Sequence, residues 1–99
     1  MTPSQCKSMA DVRAEIDRID ARIVALLAER AGYIVRAAEL VPVLGLPARI
    51  DDRVEEVVAK VRARAMAEAL DPDLAEALWR QLIDWSIARE EAKIGRDRA

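Results

Sequence analysis

The chain has no histidine, no phenylalanine and one cysteine, Cys6, among its 99 residues. Without an imidazole, serine–histidine and cysteine–histidine catalysis are excluded. A single cysteine excludes a disulfide framework within one chain. Zinc sites built from cysteine and histidine are excluded as well. We therefore expect no metal site.

Long apolar runs and blocks of one charge are also missing. No run approaches the roughly 18 residues of a membrane span, and no signal-peptide pattern is present. Acidic and basic residues alternate to a net charge of −2, which argues against nucleic acid as a partner because no basic patch forms. We expect a cytoplasmic protein that binds neither membrane nor nucleic acid.

Alanine, leucine, arginine and glutamate dominate the composition, as is typical of long helices. Ser8 followed by Asp11 resembles a capping box at a helix start. From there to about Leu40 the pattern predicts one helix, roughly 50 Å long at 1.5 Å per residue. That length exceeds the roughly 33 Å diameter of a compact globule of this size.

Positions at alternating intervals of three and four along this helix are apolar except for Arg30, and we call them the seam. Such a heptad stripe predicts a helix that lies along partner helices. A second chain alongside is the simplest way to cover it, so we expect a homodimer. The seam residues are Met9, Val12, Ile16, Ile19, Ile23, Leu26, Arg30, Tyr33 and Ala37.

Two shorter helices follow, so the prediction is an all-α fold of three helices in one domain over residues 1–99. Residues 42–50 contain two prolines and a glycine and predict an apolar loop. After Asp51 or Asp52 as cap, valines and Ala65 give the second helix one apolar face. Asp71 before Pro72 predicts the start of a third helix, which runs to about Ile94.

Five polar residues do not fit a pure packing pattern. Arg30 occupies a seam position, where a guanidinium needs an anion, a salt bridge or a route to water. If two such helices pair antiparallel, Arg13 of one chain approaches Arg30 of the other, which suits a dianionic ligand. Ser86 and Glu90 lie one turn apart on the apolar face of the third helix, where polar residues form either a hydrogen-bonded structural feature or part of a cavity wall. Arg53 is either a surface residue or a ligand contact.

Three stretches of the first helix resemble the all-helical chorismate mutase family: residues 10–13 (ADVR), 16–20 (IDRID) and 25–30 (ALLAER). Residues 6–9 (CKSM) and 81–88 (QLIDWSIA) resemble the branch that contains isochorismate pyruvate lyase of salicylate synthesis. The resemblance covers nearly the whole chain and is weakest in residues 42–50. It implies an intertwined homodimer with two sites, each built from both chains.

The resemblance also implies a pericyclic reaction without nucleophile, metal or cofactor. Chorismate mutase rearranges chorismate to prephenate in aromatic amino acid biosynthesis, and the lyase splits isochorismate into salicylate and pyruvate. By resemblance, Arg13 of one chain and Arg30 of the other bind carboxylates. Arg53 is the site arginine of the second helix, and Ser86 lies near the substrate. Glu90 stands where many members have glutamine facing the ether oxygen, and it must be protonated to donate.

Three positions depart from the family pattern. Val41 stands where a lysine usually donates to the ether oxygen, Ile50 where aspartate is common, and Val54 where some members have glutamate for the ring hydroxyl. Loss of one preorganised donor costs about a hundredfold to a thousandfold in rate. Arg49 is a candidate substitute, because the loop lengths leave the alignment open there.

The sequence therefore predicts a chorismate mutase, an isochorismate pyruvate lyase or both, with reduced activity. The alternatives are an enzyme of changed specificity and a non-catalytic homologue that binds a chorismate-like dicarboxylate. The sequence does not choose between mutase and lyase, nor does it say whether Val41 abolishes or redirects activity.

Overall fold

Three helices account for most of the chain in a computed structural model that describes residues 1–45 and 51–98. A short 3₁₀ helix, Pro3–Gln5, precedes α1 (Met9–Leu44), α2 (Asp51–Ala67) and α3 (Pro72–Arg98). No strand occurs in the described ranges. The prediction of an all-helical chain with a long first helix is confirmed, and α3 extends four residues beyond its predicted end.

Hydrogen bonds from side chains fix the start of α1. The Ser8 hydroxyl accepts the amide of Asp11 at 3.1 Å, which satisfies a donor that the first turn leaves free. The Asp11 carboxylate accepts the amide of Lys7 at 2.9 Å. The predicted capping box is therefore present, with the return bond one residue before the usual position.

The predicted end of α1 is wrong, because the helix continues through Pro42 to Leu44. Proline lacks an amide donor and its ring crowds the carbonyl four residues earlier, and the helix continues for only two residues beyond it. Gly45 stops the helix instead: its φ of +69° lies in the left-handed region, and its amide donates to the Pro42 carbonyl at 3.3 Å. Val41 therefore lies within α1 and not beyond it.

The chain divides into two units, Met1–Tyr33 and Ile34–Ala99. The first unit holds one long α-helical segment and the short 3₁₀ helix, so the apolar stripe of the long segment has no second α-helix within the unit to pack against. Six large seam residues are between 44% and 72% exposed. They are Met9, Ile16, Ile19, Ile23, Leu26 and Tyr33.

In the second unit α2 and α3 form a helical hairpin. Val54 and Val58 of α2 are buried against Ile83 of α3, as the predicted apolar faces require. Val57 and Ile87 are half-buried against this cluster.

The turn of the hairpin has local signals at both ends. Ala69, with φ of 57°, and Leu70 return their amides to the Met66 and Ala65 carbonyls, which is the Schellman arrangement. The Asp71 carboxylate then caps α3 by accepting the amide of Asp73 at 2.9 Å.

A charged network also joins α2 to α3. Arg62 donates to Asp73 at 3.0 Å and to Glu76 at 2.9 Å. Arg80 donates to Glu76 at 2.8 Å and to Glu55 at 3.3 Å. The hydrogen bond from Arg80 lowers the pKa of Glu76, so both arginines keep a charged acceptor well below neutral pH.

Candidate active site

Ser86 and Glu90 lie one turn apart on the face of α3 that carries Ile83. Ser86 is 6% exposed, and its hydroxyl donates to the Leu82 carbonyl at 2.8 Å. The hydroxyl proton is therefore used in a hydrogen bond to the backbone, while the lone pairs of the oxygen can still accept a hydrogen bond. The sequence left two interpretations of Ser86 open, and its hydrogen bond to the Leu82 carbonyl fits the interpretation as a hydrogen-bonded structural feature.

Glu90 is half-buried, and burial raises the pKa of its carboxyl. Taking a carboxylate away from water disfavours the charged form, so the group holds its proton to a higher pH than an ordinary glutamate. A protonated carboxyl has an O–H donor that a carboxylate lacks. The environment of Glu90 thus favours the protonation state that its predicted role requires.

Val41 and Val54 are buried valines at positions predicted to carry polar site groups. Val41 is 8% exposed near the end of α1, and Val54 is 7% exposed in the α2–α3 core. Neither side chain can donate or accept a hydrogen bond. The apolar character of these two positions is therefore part of the packed structure of the second unit.

Arg53, at the first turn of α2, is exposed and already paired. Its guanidinium donates to Glu56 at 3.1 Å, and Glu56 also pairs with Lys60 at 2.8 Å. Exposed pairs of this kind are weak, so an incoming carboxylate could replace Glu56. Glu56 was not among the predicted site residues, although the i,i+3 spacing of opposite charges is a usable signal.

Arg13 and Arg30 both belong to the first unit. Arg13 is exposed and Arg30 half-buried, and in the described ranges neither forms an ion pair. Most other arginines of those ranges do pair with carboxylates. The two arginines are 17 residues apart in α1, which separates their Cα atoms by about 25 Å along the helix axis. One chain alone therefore cannot bring both to one small ligand.

Two predicted site residues, Arg49 and Ile50, lie outside the described residues. The structure brings Ser86 and Glu90 together on one face of α3, close in sequence to core residues Ile83 and Ile87. This set offers a proton donor and an acceptor oxygen beside apolar packing. No grouping of acidic or cysteine residues in the described ranges could hold a metal ion.

Comparison with known families gives a match over most of the chain. The family model described as chorismate mutase type II matches residues 12–91. That range includes Arg13 near its start and Glu90 near its end, together with every other candidate residue between them. Separately, no helix in the described ranges is long and apolar enough to cross a bilayer.

Curated proteins that are similar in sequence include the following three. Isochorismate pyruvate lyase of Pseudomonas aeruginosa is 34% identical over 90 residues, which cover 90% of this chain and 87% of that protein. The chorismate mutase of Methanocaldococcus jannaschii is 26% identical over 85 residues, covering 86% of each chain. The T-protein of Enterobacter agglomerans is 30% identical over 82 residues, which are 83% of this chain and 22% of that protein.

Proposed function

Because this chain belongs to the chorismate mutase type II family, we propose that it is a homodimeric pericyclic enzyme that acts on a small dicarboxylate of the chorismate type. The reaction is chorismate to prephenate, isochorismate to salicylate and pyruvate, or both. We place it in the cytoplasm. One observation carries the proposal. Within one chain, Arg13 and Arg30 have no carboxylate partner among the described residues, and their Cα atoms are about 25 Å apart along α1.

An antiparallel pairing of two α1 seams removes that separation. In antiparallel heptad packing, a positions face d positions of the other helix. Pairing Ile19 with Ile23 of the second copy then puts Ile16 opposite Leu26 and Val12 opposite Arg30. Arg13, next to Val12, is thereby close to Arg30 of the second copy. The exposed seam residues acquire a cover, and each dimer acquires two such arginine pairs.

The remaining candidates supply the other parts of a site. Two arginines hold two carboxylates in a fixed orientation, which favours a reactive conformer of a flexible substrate. Protonated Glu90 donates toward the ether oxygen as the carbon–oxygen bond breaks. Arg53 releases its ion pair with Glu56 and binds a substrate carboxylate instead. Ser86 lies in the wall of the site, where its hydroxyl oxygen can accept a hydrogen bond. In the rearrangement one carbon–carbon bond forms as the ether bond breaks, so no further reactant is needed.

The direct test is turnover of chorismate and of isochorismate by purified protein across acidic and neutral pH. A second test addresses the shared site. We expect the Arg13→Ala and Arg30→Ala homodimers each to be inactive, since every site lacks one arginine.

Mixing these two variants under subunit exchange should restore about a quarter of the wild-type activity. Half of the dimers are then mixed, and each mixed dimer keeps one intact site of two. If mixing restores nothing while the two chains do exchange, the shared arginine site is wrong. Arg64→Ala, which removes an exposed arginine paired with Glu68 near the end of α2, is the control.

A second candidate function is favoured by the burial of Val41 and Val54. Two predicted polar positions are occupied by buried apolar side chains, which suits a ligand without a polar group at the corresponding edge of its ring. This chain would then be a specificity-changed enzyme or a non-catalytic binder of a chorismate-like dicarboxylate. Thermal stabilisation by chorismate without product would support the binder, and turnover of a related cyclohexadiene dicarboxylate would support the changed enzyme.

A further inference from the structure

Arg53 shares its carboxylate partner with a second cation. The Glu56 Oε1 atom accepts the Arg53 guanidinium at 3.1 Å and the Lys60 ammonium at 2.8 Å, so one oxygen serves two cations. The three residues are spaced at i, i+3 and i+7, which places them in one row along α2. Arg53 stands at the end of this row where the proposed function expects a substrate carboxylate.

The contact with Lys60 is the stronger of the two that Glu56 makes. It is the shorter one, and a glutamate four residues before a lysine is the favourable order for such a pair in a helix. The hydrogen bond from Lys60 is the largest cause of the lowered pKa of the Glu56 carboxyl, ahead of the charges of Lys60 and Arg53. Glu56 is therefore charged at neutral pH and keeps a partner when Arg53 leaves it.

We propose that Glu56 and Lys60 form an exchange pair: Glu56 pairs with Arg53 while the site is empty, and Lys60 holds Glu56 when a substrate carboxylate replaces it. The proposal rests on the proposed function, because it takes Arg53 as a substrate contact. Lys60 is a positioning residue in this scheme. Its Cα atom is about 10 Å from that of Arg53 along the helix axis, so it acts on the substrate through Glu56.

The exchange pair makes the affinity of the site depend on the charge of the ligand. A ligand without a carboxylate at Arg53 leaves the Arg53–Glu56 pair intact and gains nothing from that arginine. A ligand with a carboxylate there must displace Glu56. Lys60 lowers the cost of that step, because the displaced carboxylate is not left unpaired beside an incoming group of the same charge. Glu56 thus weakens binding of a dicarboxylate, and Lys60 restores part of it.

Substitutions at both positions test the exchange through the Kd for prephenate, a stable dicarboxylate, measured by isothermal titration calorimetry. Glu56→Gln frees Arg53 and should lower the Kd by about threefold, within the range of exposed ion pairs. Lys60→Gln leaves Glu56 to Arg53 alone and should raise the Kd by about twofold. Glutamine has nearly the helix propensity of glutamate and lysine, so both variants keep α2 intact.

The double variant separates exchange from the general charge of the helix. If Lys60 acts through Glu56, Lys60→Gln should leave the Kd unchanged in the Glu56→Gln background. A direct attraction between Lys60 and the ligand would instead raise the Kd equally in both backgrounds. Lys60→Arg keeps a cation at this position and should recover most of the affinity that Lys60→Gln loses.

Arg64→Gln and Glu68→Gln are the matched controls, because these residues form another i,i+4 ion pair near the end of α2. Both should bind prephenate as the wild type does. The proposal is overturned if Glu56→Gln does not lower the Kd, if the effect of Lys60→Gln persists in full without Glu56, or if the wild type does not bind prephenate. Turnover of chorismate and isochorismate tests the proposed function separately. An active enzyme can therefore refute the exchange, and an inactive protein that binds prephenate can confirm it.

Discussion

At residue 41 a buried valine occupies the position that the family resemblance gives to a catalytic lysine. It lies inside the last turns of α1, packed within the second unit. We expect Val41→Lys to raise the rate of chorismate turnover by about a hundredfold to a thousandfold, the usual worth of one preorganised donor.

Val41→Met is the matched control for Val41→Lys, because it has similar length without charge. The comparison is kcat for both variants, with circular dichroism to confirm folding. An equal rate in the two variants would mean that the lysine position does not act on the ether oxygen.

The proposed role of Glu90 predicts a pH dependence of the activity, and the burial of Glu90 fixes its sign. The pKa of its carboxyl is raised, so the protonated donor persists above the ordinary range of glutamate and is lost as pH rises through the raised pKa. Wild-type kcat should therefore fall on the alkaline side. Glu90→Gln donates at every pH and should remove that limb from the pH–rate profile.

Glu91→Gln provides the control for Glu90→Gln, because the neighbouring side chain is exposed. Its profile should match that of the wild type. A Glu90→Gln profile that keeps the alkaline fall would assign the titration to another group.

Among the helical elements, the end of α2 carries the clearest stability prediction. Ala69 holds a positive φ of 57°, a region where a Cβ atom is unfavourable. Ala69→Gly removes that cost and should raise the free energy of unfolding by about 0.5–1 kcal/mol, measured by chemical denaturation.

The same substitution within the helix should have the opposite effect. Ala63→Gly, at an exposed interior position of α2, should lower the free energy of unfolding by about 1 kcal/mol. If both glycine variants are destabilised equally, the positive φ of Ala69 does not limit stability.

At this element scale much of the fold could be predicted, because helix starts are local. The Ser8–Asp11 cap and the Asp71–Pro72 start depend on residues within one turn of each other, and both were predicted. The end of α1 was not predicted. Pro42 signals a break in almost any context, whereas the actual stop depends on Gly45 reaching a positive φ.

For the molecule as a whole, the exposed seam of α1 predicts association. Ile23 is 48% exposed and lies at the centre of the proposed antiparallel pairing. We expect Ile23→Lys to shift the protein toward monomer in analytical ultracentrifugation. The proposed dimer buries Ile23, so a lysine there forfeits about 1.5–3 kcal/mol of apolar burial per chain. Activity should fall with the dimer, since each site needs both copies.

Val24→Lys distinguishes the seam from the rest of the helix surface. Val24 is adjacent in sequence and 65% exposed but lies off the seam. This variant should remain dimeric and active. Equal loss of association in both variants would argue against a specific seam.

The sequence by itself determined the helical class, the three segments and the apolar faces, because caps, prolines and three-four periodicity act within a few residues. It also carried the family assignment. Tertiary structure decided how individual side chains are used. Val41 and Val54 are buried, and burial raises the pKa of Glu90. These properties depend on contacts between distant segments and on the exclusion of water, which no local pattern specifies.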